Sequence, residues 1–311
     1  MENILNIVKE ITKYKNRQGV ELLEVQKYIQ DLLSKNDIPF VLNEFKSIVP
    51  KCEATLIVDG LSIECRGCSY VGGKINSKSC ILSSTTPSRF NLDNANINFN
   101  PYSEAISCSN FYFAPAIAVS KNDISKIINT ESLEGEVKVE KMETNVAHIL
   151  VGNLQNPKNI IFAHFDSIST GAIDNASGVA VVLNAIIENP DIIKESLFVF
   201  DPNEELSYDK PTYWGRGFRV FEEKYSNLFD IAEKIIPIDC VGNGASKIDS
   251  NPEIIYLAFP IKEFDKYKNK MVTIYSDIDQ LMSVYHSDAD VISNLDEDRL
   301  KEARDLLLSL L

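Results

Sequence analysis

Long apolar runs are missing from these 311 residues. Stretches such as Val179 to Leu183 and Leu306 to Leu308 fall far short of the roughly 20 residues a membrane span needs, so no transmembrane helix or membrane partner is expected. Basic runs are missing too. With 45 acidic against 31 basic residues and a formal net charge of −14, nothing in the chain would neutralise a polyphosphate, and nucleic acid is excluded as an expected partner. The opening MENILNIVKEITKYKN has neither the continuous apolar core nor the small-residue cleavage site of a secretory signal, and the expected location is the cytoplasm. Six cysteines are too few for a disulfide scaffold of this length, in keeping with a reducing compartment. Cys52, Cys65, Cys68, Cys80 and Cys108 crowd into one third of the chain. Cys65 and Cys68 form C-x-x-C, which would suit a structural zinc or a redox pair, but the spacing of a paired zinc ribbon is absent.

The patterning that is present divides the chain. In GVELLEVQKYIQDLLSKNDIPF, Leu22, Val25, Ile29 and Leu32 recur every three or four positions and predict a helix with one apolar face, followed by a strand over Phe40 to Phe45. Residues 46–143 change to short alternating segments broken by Gly, Pro, Asn and Ser, which predicts a β-rich insert. Within it PAIAVSKNDISKII predicts a strand ending at Ser120 and a capped helix from about Asn122. After Ala147 apolar strands alternate with helices: HILVGN, NIIFAHF, ASGVAVVLNAII, SLFVFDP, GRGFRVFEEKY. That alternation predicts an α/β sheet covered on both faces. A final amphipathic helix follows NLDE, where Asn294 and Glu297 stand at capping-box spacing.

Histidine is scarce, three in all, so its placement carries information. In open α/β sheets chemistry sits at the carboxyl ends of the strands. His164 and Asp166 end NIIFAHF, Asp174 precedes the next helix, Glu204 and Glu205 follow SLFVFDP, Asp239 ends KIIPID, and His286 follows the run LMSVY. Carboxylates gathered on one rim repel unless a cation sits among them, and a metal ion would supply that charge. Zinc takes His nitrogen and carboxylate oxygen, and a neighbouring carboxylate that is not a ligand can serve as the proton acceptor. His148 lies inside a strand-like run and reads as structural.

The motifs AHFDS, GAIDNASGVA, NEEL, PIDCVG and YHSDADVISNLD stand in the order found in the zinc-dependent exopeptidases of peptidase clan MH. This chain resembles that family over roughly residues 145–311, with 19–45 resembling its lead-in. The family includes aminopeptidase Y, bacterial leucyl aminopeptidases, glutamate carboxypeptidase and glutaminyl cyclase. The resemblance implies a three-layer αβα fold with a central mixed, mostly parallel sheet, formed by residues 1–45 and 144–311. It also implies that 46–143 is an inserted, protease-associated-like lid. Two Zn2+ ions, or other divalent metals, are implied: His164 and Asp239 on one, Glu205 and His286 on the other, and Asp174 bridging. Glu204 would be the general base, Asp166 the carboxylate that orients His164, and Tyr285 the oxyanion donor. The resemblance also implies a cis peptide bond between Asp174 and Asn175.

The implied activity is a co-catalytic zinc aminopeptidase acting on peptides, with oligomers open. A carboxypeptidase or dipeptidase on the same site would need a cation to read a substrate carboxylate, for which Arg216 and Arg219 are candidates. A glutaminyl cyclase or a non-catalytic binding relative is a further alternative. The chain departs from the family in EELSYDKPTYWGRGF, where extra residues follow the glutamate pair.

Overall fold

The structure, a computed structural model, describes residues 3–77, 80–85 and 93–311. The chain opens with helices α1 (Ile4–Ile11) and α2 (Val20–Lys35) and the long strand β1 (Phe40–Val58). Short strands follow: β2 (Leu61–Ile63), β3 (Cys65–Gly67), β4 (Gly73–Ile75), β5 (Ile81–Ser83), β6 (Asn96–Phe99) and β7 (Ala116–Val119). Helix α3 (Ile124–Asn129) leads into a second long strand, β8 (Leu133–Gly152). Strands and helices then alternate as β9 (Asn159–His164), α4 (Gly178–Glu188), β10 (Ser196–Asp201), α5 (Arg216–Ile231) and β11 (Lys234–Pro237). The last part holds β12 (Lys247–Asp249), α6 (Pro252–Ala258), α7 (Phe264–Tyr267), β13 (Thr273–Tyr275), α8 (Ile278–Met282) and α9 (Glu297–Leu310). No helix among the described residues is long and apolar enough to cross a membrane.

Two compact units result: Met1–Ser47, Glu143–Leu281 and Asp290–Leu311 form the first, and Ile48–Met142 with Met282–Ala289 the second. In the first, the strands run in the order β11-β9-β10-β8-β1. β9 pairs in parallel with β10 and β11, whereas β10 pairs antiparallel with β8. The sheet is therefore mixed and helix-flanked. Within it β9, β10 and β11 pair in parallel, and β8 runs against β10.

Side chains alternate across a strand, and here the alternation feeds two separate cores. Ile161, Ala163, Phe198, Phe200 and Ile236 pack with α1, α2, α4 and α9 on one face. Ile160, Phe162, Leu197, Val199 and Ile235 pack with α5, α6 and α7 on the other. Because both faces are covered, β9 and β10 are buried at every position, which is why they read as unbroken apolar runs. α4 is buried from Gly178 to Ile186. The face predicted for α2 is buried at Leu22, Val25, Ile29 and Leu32.

Two local expectations are corrected. The last helix is capped by Asp296, whose carboxylate accepts from Asp298 N and Arg299 N at 2.8 and 3.1 Å, and Asn294 lies in a short turn before it. Asp296 is the nearer acceptor for the free amides of the first turn. The run LMSVY does not close a strand; its first residues belong to α8.

The second unit holds a four-stranded sheet, β3-β7-β6-β5, together with the outer halves of β1 and β8 and their partners β2 and β4. Leu56, Val58, Ile97, Ile117, Val119, Ile127 and Val137 form its core. Ser120 caps the turn into α3 by accepting from Asn122 N. All six cysteines are free thiols. Among the described residues the second unit's five join no group able to hold a metal.

Phe162 is the central ring of the second core, within 6.1 Å, centroid to centroid, of Phe218, Phe221, Phe229 and Phe259. Phe162→Ala is expected to lower the unfolding free energy by about 3–5 kcal/mol, measured by urea titration. A loss below about 1 kcal/mol would contradict this packing.

Candidate metal centre

His164 ends β9 directly opposite Asp201, the last residue of β10, so the loops leaving both strands start side by side. Asp239 lies two residues beyond β11. The rim is thus built by three neighbouring parallel strands, and it is buried: His164, Asp166, Asp174, Glu204 and Glu205 are each at most 8 % exposed.

Asp166 is the hub of this rim. Its Oδ1 lies 3.3 Å from His164 Nδ1 and accepts from Glu204 N at 3.0 Å. Its Oδ2 accepts from Glu205 N at 2.9 Å and from Gln18 Nε2 at 3.3 Å. One carboxylate thereby fixes the ring and the backbone of both glutamates. A proton on His164 Nδ1 directed at Asp166 leaves Nε2 as the lone-pair nitrogen.

That nitrogen faces carboxylates. His164 Nε2 lies 3.3 Å from Asp174 Oδ1 and 3.4 Å from Asp239 Oδ1, yet it is buried with no hydrogen-bond partner. Burial disfavours the charged ring, but Asp166, Asp174 and Asp239 outweigh it and hold the imidazole pKa well above its usual value. The cluster calls for a cation at this point. Two sets of donor atoms could take one, each within 4.8 Å of one another: His164 with Asp174 and Glu205, and Asp174 with Asp239 and Cys240. Asp174 is common to both. Nitrogen and carboxylate oxygen, with a thiol beside them, form a donor set that suits zinc. Glu204 stands apart from both sets, and burial, with Glu205, Asp166 and Asp239 nearby, raises its carboxyl pKa well above the ordinary range despite the opposing pull of His164.

Small residues bring Asp174 into place. The Asp174–Asn175 peptide bond is cis. Asn175 Nδ2 donates to Ile238 O at 2.9 Å while its Oδ1 accepts from Gly178 N at 3.0 Å, tying the turn to the end of β11. A Cβ on Gly178 would lie 2.3 Å from that oxygen. Gly171 has φ +59°, and a Cβ there would sit 2.3 Å from Asp174 O. The glycines of GAIDNASG are thus required by close approach.

Three participants were not singled out from sequence. Arg17, fully buried, donates to Phe165 O, Thr170 O and Gly171 O at 2.7, 2.7 and 2.9 Å. Burial lowers its pKa to about 10, against the raising influence of Asp166, Asp290, Asp174 and Glu205, so it remains charged at neutral pH. Asp290 accepts from Ile173 N and Asp174 N at 2.8 and 3.1 Å, and burial raises its pKa to about 6. Cys240, at φ +55°, places its thiol 3.2 Å from Asp239 Oδ1. Arg17 and Asp290 hold backbone rather than side chains, which leaves no motif to find.

Of the arginines considered for carboxylate recognition, Arg219 is buried and fully engaged. It forms a two-pronged pair with Asp209 at 2.9 and 3.0 Å and donates to Trp214 O and Pro260 O at 2.7 and 3.0 Å. It clamps the extra residues of the EELSYDKPTYWGRGF loop. Arg216 lies 3.7 Å from Asp209 and donates to Lys46 O. His148 is structural: Nδ1 is 3.0 Å from Asn43 Nδ2, Nε2 is 3.0 Å from Gly217 O, and the ring stacks on Phe45. Tyr285 and His286 belong to the second unit, stacked with ring centroids 3.7 Å apart. There His286 Nδ1 lies 3.1 Å from Cys108 O, and Ser107 Oγ donates to Tyr285 O at 2.6 Å.

Residues 145–191 match the sequence model of peptidase family M28. The fold is similar to that of a zinc aminopeptidase from Bacillus subtilis, with a TM-score of 0.70 at 15% identity over 98% of this chain and 92% of the other. An aminopeptidase from Aneurinibacillus sp. strain AM-1 gives 0.65 at 14% over 98% and 91%. A peptidase M28 precursor from Shewanella amazonensis SB2B gives 0.62 at 13% over 99% and 91%. No curated protein matches the chain. The segment match and the shared fold fit a zinc exopeptidase family, and they support a metal-dependent peptidase.

Asp166→Asn would turn an N–H donor toward a backbone amide that now has an acceptor. The expected loss is about 1–3 kcal/mol in unfolding free energy, read by denaturant titration of chelator-treated protein; an unchanged midpoint would contradict the hub described here.

Proposed function

We propose that the protein is a two-metal aminopeptidase that removes N-terminal residues from peptides. The observation that carries the reading is Asp174, shared by two donor sets beside the buried Nε2 of His164, which faces the Asp174 and Asp239 carboxylates. His164 and Asp239 would hold one zinc, Glu205 the other, and Asp174 both. His286 and Tyr285 keep the roles that the resemblance implies, ligand and oxyanion donor.

When bound, zinc supplies Lewis-acid polarisation of the scissile carbonyl and neutralises the carboxylates around it. The chain supplies the rest. Glu204, backbone-anchored by Asp166, takes the proton of the attacking water on its carboxylate and hands it to the leaving amine. A positioned carboxylate beside the reacting groups can both accept and return a proton. Asp166 keeps His164 in one tautomer and orientation throughout. An acidic rim also favours a substrate's free ammonium group. A carboxypeptidase would need a cation to read a carboxylate; Arg219 is consumed by Asp209, Trp214 and Pro260, and Arg216 lies 3.7 Å from Asp209 and donates to Lys46 O.

The test is metal content together with hydrolysis of a panel of aminoacyl and carboxyl-terminal substrates, with and without chelator. Two zinc ions per chain and chelator-sensitive release of N-terminal residues are expected; no bound metal at saturating zinc would overturn the reading. Glu204→Gln should retain both metals yet lose at least about 100-fold in kcat, the scale of general acid–base catalysis. Wild-type turnover in that variant would remove Glu204 as the base.

A further inference from the structure

We propose that Arg17 and Asp290 are positioning residues that hold the segment 165–174 from its two sides and thereby set how tightly Asp174 binds metal. The inference rests on the metal reading above. Segment 165–174 belongs to no strand and enters no regular helix before Ala172, yet it is buried throughout. Its backbone groups need partners that a ladder would otherwise supply.

Arg17 supplies them for the carbonyls. From the connector between α1 and α2, its three guanidinium nitrogens reach Phe165 O, Thr170 O and Gly171 O. The neighbouring Asn16 extends the grip, donating from N to Ser169 O at 2.6 Å and accepting from Ser169 N at 2.8 Å. Asp290 supplies the complement. Its carboxylate takes the amides of Ile173 and Asp174, and its own carbonyl accepts from Ala172 N at 3.2 Å. A cation thus holds carbonyls and an anion holds amides along one short stretch, and the stretch ends on the residue common to both donor sets. Neither residue lends an atom to those sets.

The consequence is preorganisation. Without metal, Asp174 must stay beside Asp239 and Glu205, which repel it. A segment free to relax would move Asp174 away and would have to be reordered on binding. Arg17 also places a fixed positive charge on this carboxylate cluster. Groups that orient ligands in this way typically govern about 10–100-fold in metal affinity. Lysine cannot replace the arginine fully, because one ammonium cannot address three separated carbonyls with a planar fork.

The experiment uses the full chain stripped with chelator and titrated with zinc against a chromophoric competitor, alongside visible spectra of the cobalt-loaded protein. Arg17→Met is expected to weaken zinc binding by about 10–100-fold, with Arg17→Lys recovering part of the loss. Asp290→Asn, which turns an NH2 toward a backbone amide, should also weaken it. The cobalt bands should shift in position or intensity, which a loss of stability alone would not produce. Folded variants with wild-type zinc affinity and wild-type cobalt spectra would overturn the inference while leaving the metal reading intact. If wild-type protein binds no zinc, the metal reading itself fails. Should Arg17→Met not fold, Arg17→Lys and Asp290→Asn carry the same comparison.

Discussion

Negative charge held out of water is the constraint around which this molecule is arranged. Asp166, Asp174 and Asp239 approach a single imidazole, with Glu204 and Glu205 behind them. In a buried setting such a group is unfavourable unless each carboxylate finds a donor or a cation. The structure answers residue by residue. Asp166 is saturated by two amides, a ring nitrogen and Gln18, and Arg17 brings a permanent positive charge. His164 Nε2 then faces Asp174 and Asp239 at 3.3 and 3.4 Å.

The scaffold exists to bring these groups to one line. Three adjacent parallel strands end together, and because both faces of the sheet are covered, their ends are the place where polar groups can gather without disturbing a core. The division of labour is consistent: strands deliver His164 and the glutamate loop, glycine turns return Asp174, and charged side chains hold the backbone where no regular element can.

The sequence made part of this legible for physical reasons. β9, β10 and α4 were readable because complete burial leaves unbroken apolar runs, and the polar residues at their ends stand out against them. His164, Asp174, Glu204, Glu205 and Asp239 are visible on that basis. Arg17 was not, since KNRQG has no periodicity and its partners are carbonyls about 150 positions away, identical in every residue type. Asp290 is hidden for the same reason, and Cys240 because a lone cysteine beside an aspartate carries no spacing signal. The cap of α9 moved by two residues because Asn294 and Asp296 are both good caps and only the geometry of the preceding turn chooses between them. The direction of β8 against β10 is something no local pattern encodes.

The alternation of β9 has a further consequence. Ile161 and Ala163 face the packing that supports α4 and the Asp174 turn, whereas Ile160 and Phe162 face the packing under α5, the helix that carries Arg219 and anchors the loop after the glutamates. The sheet therefore acts as a bulkhead. The 206–215 loop joins the packing on one side of it through Arg219 and α5, while the Asp174 turn rests on the packing of the other. The two packings can therefore vary separately.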